Sequence, residues 1–264
     1  MRRLAPGDQS PGGPNELSFL NLLQKQVTVA RVFGIPVRVD YRWFFIFVVT
    51  VWLMSENISA GVAELGKNAS LALGIIATLA YFLSIFGHEM AHAWAAKLEG
   101  IETLEIVLHP FGGLARLSRE PETPKSEFRI GLAGPVASFL FAGLFFGIAI
   151  LIDSFRYRAG TPFTFGLIRA GAASFFLIGF GNLLLAVFNL FPGYPLDGGR
   201  VLRAFLWRRN GDMNRSTLIA GRAGQIIAIA FGALGLFIAA VRHDLFTGIW
   251  TVLVGVFLFD AALK

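Results

Sequence analysis

The 264-residue chain contains no cysteine. That excludes disulfides and thiolate metal sites, and leaves His, Asp and Glu as the only strong metal-ligating side chains. Charge is scarce as well. Asp, Glu, Lys and Arg make up 15% of the residues, against about 25% in an ordinary soluble domain. Polar sequence collects at the N-terminus, where 1–26 carries "APGDQSPGGPN" and reads as a loose cytoplasmic tail with no signal peptide. Most of the remainder is apolar, 55% hydrophobic overall with a mean hydropathy of +0.64. This balance excludes an ordinary soluble domain and belongs to an integral membrane protein. The net charge is +6, but the basic residues lie between apolar blocks. There they set membrane orientation, so no nucleic-acid partner is expected.

A window of about 19 residues finds six apolar blocks, near 41–60, 71–96, 128–152, 170–191, 216–241 and 245–263. Threading these alternately through a bilayer places 17 of the 23 Lys and Arg on one side and five on the other. Positive charge favours the cytoplasm, so both termini are expected there, in a multi-pass protein of the cell membrane. Two stretches do not read as helices: "VTVARVFGIPVRVD" (27–40) and "IETLEIVLHPFGGLARLS" (101–118) are β-branched and broken by Gly or Pro. The expected fold is an α-helical polytopic membrane protein. It has about six transmembrane helices, small β-hairpin elements at the cytoplasmic face, and one domain over 27–264. A sheet edge cannot face lipid, so the hairpins must pair with each other, with protein or with something bound.

Inside the second block stands "FGHEMAHAW" (86–94). Ionisable residues within a span are costly and functional by default. His88 and His92, four residues apart, share one helical face and can hold one zinc. Glu89 then flanks the open coordination position, where it can take a proton from water. A polar helix end at the headgroups, without metal, is the competing reading. A third protein ligand is needed. The metzincin continuation is excluded, because Ala95 and Leu98 stand where it requires Gly and His. His109, Glu120, Glu122, Glu127 and Asp197 are the candidates. Depth favours Asp197. The second and fourth spans enter from the same side, so "HEMAH" near the end of one and Asp197 just past the other meet at similar depth. The opposing reading has Asp197 capping a helix that starts near Arg200.

An HExxH in one span followed by "NLFPGYPLDGGR" (189–200) resembles the site-2 protease family of intramembrane zinc metalloproteases. The resemblance runs from "GIPVRVDYRW" (34–43) to "GGRVLRA" (198–204). It implies one zinc per chain on His88, His92 and Asp197, with Glu89 as general base. Asn189 would contact the substrate or the developing oxyanion. "HPFGG" (109–113) resembles the segment lining the substrate path, and "GLAGPVASF" (131–139) matches a Gly-Pro signature whose small residues permit close helix packing. Many relatives of this subgroup carry C-terminal cystathionine-β-synthase-type domains. None is read in these residues, so nucleotide-type regulation is not carried over.

The implied function is intramembrane endopeptidase cleavage of single-span substrates, such as membrane-tethered anti-sigma or transcription factors. An extended substrate would add as a strand to the 101–118 edge, a pairing that prolines along 103–108 would disturb. A protease with a cytoplasmic catalytic domain is disfavoured, because the longest loop, about 30 residues (97–127), is mostly hairpin. The other rival is a non-catalytic metal-binding scaffold or zinc carrier, which has no use for Glu89. The remaining readings are bland. Gly143 and Gly147 read as an internal packing face, and the five tryptophans as interfacial belts.

Overall fold

The computed structural model describes residues 26–62, 65–109 and 112–263. The expected tail lies outside them, except that Gln26 already begins a strand. Strands β1 (Gln26–Val32) and β2 (Ile35–Asp40) form a hairpin. Its two-residue turn, Phe33-Gly34, has positive φ at both positions (50° and 85°), the geometry that matches the twist of the flanking strands. Asp40 then caps α1 (Tyr41–Gly61) by accepting the Arg42 N–H at 2.9 Å. Next come α2 (Lys67–Leu98) and a second hairpin, β3 (Thr103–His109) with β4 (Gly112–Leu117). The helices α3 (Pro124–Ser154), α4 (Pro162–Asn189), α5 (Asp197–Asn210), α6 (Met213–Val241) and α7 (Leu245–Leu263) complete the chain.

All of these helices except α5 are long and apolar enough to cross a membrane, six in total among the described residues. The fold is a polytopic membrane bundle, as the hydropathy implied. The main difference lies in α4, which starts eight residues before the expected 170. A reciprocal Thr161–Thr164 capping box and Pro162 in the first turn start it there. Arg169 is therefore helical, and its guanidinium donates to the Gly61 carbonyl at 3.4 Å.

The two hairpins join into a four-stranded sheet of order β1-β2-β3-β4, with β2 and β3 parallel. Of the three ways to satisfy these stretches, pairing with each other is the one realised. It also places 103–109 inside the sheet, so the free edges are β1 and β4. β2 occupies the side of Ile106–Leu108 away from β4, so a strand cannot add there, and the edge strand of this hairpin is β4 at 112–117. On β3, the Glu105 carboxylate bridges Arg38 of β2 (2.8 Å) and Arg116 of β4 (3.1 Å), tying the three strands together across one face. The sheet packs through Val39, Ile106 and Leu108 onto Ala93 and Met90 of α2. Trp43 belongs to this cluster, edge-on to Phe82 at 4.6 Å. It is a packing residue, unlike Trp52, Trp94 and Trp250, which are exposed.

The internal packing face expected at Gly143 and Gly147 is absent, because a Cβ added at either would meet nothing within 4 Å. Close backbone approach occurs elsewhere. A Cβ at Gly199 would lie 2.5 Å from the Gly193 carbonyl carbon and from Tyr194 N. The Tyr194 N–H donates to the Ala220 carbonyl at 3.1 Å, anchoring the turn between α4 and α5 on α6.

Candidate metal centre

Helix α2 has 32 residues and is about 48 Å long. His88 stands 21 residues after Lys67, or about 32 Å along the axis, close to the ~30 Å thickness of a hydrocarbon core. The polar trio therefore lies near the end of the span remote from Lys67. All three members are buried.

The imidazoles meet edge to face, 4.9 Å between centroids. Their Nδ1 atoms are both engaged by α3. His92 Nδ1 bonds the Ile130 carbonyl at 2.7 Å, and His88 Nδ1 bonds the Ser138 hydroxyl at 2.9 Å. A carbonyl can only accept, so His92 Nδ1 carries the hydrogen and its Nε2 presents a lone pair. The two Nε2 atoms are 3.2 Å apart, and each is 3.1 Å from Asp197 Oδ2. Burial opposes the Asp197 charge. When the imidazoles are protonated, their charge outweighs that and holds its pKa below the ordinary carboxylate range.

Three converging donors of this kind fit zinc. Bonds of about 2.0–2.1 Å in a tetrahedral site separate ligand atoms by roughly 3.3 Å, near the spacings found. The cradle fits as well. A Cβ at Gly134 of α3 would lie 2.5 Å from His88 Nε2, and closer still to His92 Nε2. Only the absence of a side chain leaves that corner open. Glu89 faces the opposite wall. Its carboxylate accepts the Ala115 N–H of β4 and lies within electrostatic reach of His88, His92 and Asp197. A Cβ at Gly113 would be 2.6 Å from Glu89 Cδ.

The other candidate ligands are engaged elsewhere. Glu120 and Glu122 are exposed and pair with Arg203 (3.6 Å) and Arg119 respectively. Glu127 is fully buried against Arg200 and Arg203. The His109 side chain, with Pro110 and Phe111 of the segment expected to line the substrate path, lies outside the described residues. Asp197 does not cap α5. It is that helix's first residue, and Leu196 at the cap makes no side-chain bond. Asn189 ends α4, half-buried, eight residues before Asp197. The residues missed from sequence are Ser138, Ile130 and Gly113, together with the contact that Gly134 makes with the imidazoles. The quoted "GLAGPVASF" contains Gly134 and Ser138, and "HPFGG" contains Gly113, but a motif of small residues does not say which neighbour it receives.

Comparison with known proteins points to a protease family. The model of peptidase family M50 matches residues 76–170 and 166–231. Synechocystis sll0528 is 36% identical over 91% of this chain and 59% of its own length, and Mycobacterium tuberculosis Rip3 is 34% identical over 91% and 58%. Both bear the name putative zinc metalloprotease. Zinc metalloprotease MJ0392 of Methanocaldococcus jannaschii is 31% identical over 83% of this chain and 58% of its own length. The chain thus spans under three-fifths of the length of these relatives. Among solved structures, the site-2 protease from Methanocaldococcus jannaschii superposes with a TM-score of 0.56 at 25% identity, covering 90% of this chain and 94% of that one.

Substituting Gly134 should empty the centre without touching a ligand. Elemental analysis of purified Gly134→Val should find zinc largely lost. Gly143→Val on the same helix, where an added Cβ meets nothing within 4 Å, should retain it. Equal zinc in both variants would remove Gly134 from the site.

Proposed function

Because the chain belongs to peptidase family M50, we propose that it is a zinc endopeptidase cleaving transmembrane segments of membrane-tethered proteins within the bilayer. One observation carries the reading: buried His88 and His92 converge with the partly buried Asp197, beside the buried Glu89, near one end of a membrane-spanning helix. Bound there, one zinc per chain would supply Lewis acidity and a water that deprotonates near neutral pH. His88 and His92 hold the metal through Nε2, with Ser138 and Ile130 fixing the rings. Glu89 takes the proton of the attacking water and returns it to the leaving amine. Asn189 donates to the substrate carbonyl as negative charge develops on its oxygen.

A scaffold or zinc carrier needs the three ligands but not Glu89, so Glu89→Gln separates the readings. Zinc content should persist, while cleavage of a membrane-embedded reporter falls by about 10²–10⁴. Asn189→Ala should retain zinc and lose roughly 10²–10³. Wild-type cleavage by Glu89→Gln would remove Glu89 as the base, and no cleavage by the wild-type chain itself would leave only the metal-binding reading.

A substrate helix hides its scissile carbonyl in backbone hydrogen bonds, and a locally unwound stretch in lipid needs new partners. The outer edge of β4 is placed to give them by strand addition, since it borders Glu89 through Gly113 and Ala115. The Ala115 N–H points away from β3, so a proline there spares the β3–β4 ladder. Ala115→Pro should keep zinc and raise KM for a helical reporter, whereas loss of the N–H on Glu89 alone would lower kcat. Undiminished cleavage would end the strand-addition idea.

Substrates of this kind include single-span, membrane-tethered anti-sigma or transcription factors. For orientation, 17 of 23 Lys and Arg on one side support cytoplasmic termini in the cell membrane. The chain lacks cysteine, so single substitutions report topology cleanly. In intact cells Lys67→Cys should react with an impermeant thiol reagent, and Ser10→Cys should not. The reverse pattern would invert the protein.

A further inference from the structure

Helix α3 supplies no metal ligand, yet one of its faces touches everything that holds the ligands. Ile130 and Ser138 fix the imidazoles, and Gly134 leaves room beside them. On the first turn of the same face stands Glu127, fully buried. Its Oε1 accepts three hydrogen bonds from α5: Arg200 Nε at 3.2 Å, Arg203 Nε at 3.2 Å and Arg203 Nη2 at 2.6 Å. Arg200 and Arg203 follow Asp197 by three and six residues, one and nearly two helical turns. Between the two clusters α3 and α5 pack closely. A Cβ at Gly131 would lie 3.1 Å from Arg200 Cβ and 3.5 Å from the Asp197 carbonyl oxygen. Arg203 is only 7% exposed, with its guanidinium 5.5 Å from the Tyr194 ring centroid.

We propose that Glu127 is the positioning residue for the third metal ligand. Its charge draws Arg200 and Arg203 onto α3, and so sets Asp197 opposite His88 and His92. The inference rests on the metal-centre reading above and adds a residue to it. The physical reason is register. A buried carboxylate and a buried guanidinium are each costly alone, so only the arrangement that brings them together is favourable. Sliding α5 by one turn would move Asp197 about 5.4 Å, out of reach of both Nε2 atoms. Leu196 makes no capping bond to hold the helix start, so this clamp and the glycine-rich turn before it fix the ligand.

The test uses the purified full chain in lipid nanodiscs, with zinc affinity read by chelator competition and ligand geometry by the visible spectrum of the cobalt(II)-substituted protein. Glu127→Gln preserves shape and removes charge. It should weaken zinc by on the order of 10- to 100-fold, and lower the cobalt absorption as water replaces Asp197. A merely structural role would lower the unfolding temperature and leave the cobalt spectrum of the folded protein unchanged. Arg129→Ala is the control. It removes an exposed α3 ion pair to Glu99 at 2.7 Å that does not touch α5, and should keep both zinc affinity and spectrum. Should Glu127→Gln not fold, Arg200→Gln carries the test, because that side chain is 21% exposed; it should weaken zinc several-fold. Wild-type affinity and spectrum in the folded variant, or an equal loss in Arg129→Ala, would overturn the proposal. A wild-type chain that binds no zinc would instead sink the metal-centre reading, and this one with it.

Discussion

The structure depends on one contact: two imidazole nitrogens 3.2 Å apart, each 3.1 Å from the same carboxylate oxygen. In an apolar bundle that contact is unfavourable unless a cation or protons occupy it, since lone pairs face each other and an ionised carboxylate. Much of the surrounding architecture serves to hold it. The HExxH helix supplies two nitrogens from one face. A turn packed on α6 returns the chain after α4, so that α5 delivers the oxygen. α3 fixes ring orientation through hydrogen bonds that leave both Nε2 atoms directed inward. Tethering the far nitrogen of a metal-ligating histidine is the usual way a protein fixes its tautomer, and here the tethers come from a single neighbouring helix.

Space around that contact is controlled by missing side chains. Gly134 admits the imidazole tips on one side, and Gly113 admits Glu89 on the other. Two walls, a transmembrane helix and a strand, therefore close on the site with only hydrogen atoms between backbone and functional groups. This accounts for a small sheet in a helical membrane protein. A helix alone has no unpaired backbone groups to offer, whereas β4 brings an N–H to the Glu89 carboxylate and keeps an open edge beside it.

The helical parts of this arrangement were legible in sequence because they follow local rules. Hydropathy marks six spans, and the i, i+4 spacing puts His88 and His92 together without tertiary information. Depth brought Asp197 to them, because two spans running in the same direction end at the same level. Contacts between elements were less legible. Gly134 and Gly143 belong to the same helix and to similar small-residue patterns, yet one presses on the imidazoles and the other meets nothing. Periodicity shows that a face is small, not what faces it. Glu127 illustrates the same limit. By residue type it qualified as a ligand, but the arginines that claim it come from a helix more than 70 residues later. The strand order was equally non-local: nothing within 101–118 says that β2 would cover one side of β3.

The two free edges of the sheet are not equivalent, and the difference bears on function. At the β1 edge stand Val27 and Val29, both exposed, and none of the residues of the metal cluster. At the β4 edge stand Glu89, Ala115 and the glycine that lets them approach. Strand addition at β1 would hold a peptide two strands away from the metal ligands, since β2 and β3 intervene before β4. Addition at β4 would lay an extended backbone beside the base and the metal cluster. The ion pairs of Glu105 to Arg38 and Arg116 make β2, β3 and β4 one rigid unit, and Val39, Ile106 and Leu108 seat that unit on the HExxH helix itself. A peptide paired to β4 would therefore be referenced to the helix that carries His88, Glu89 and His92.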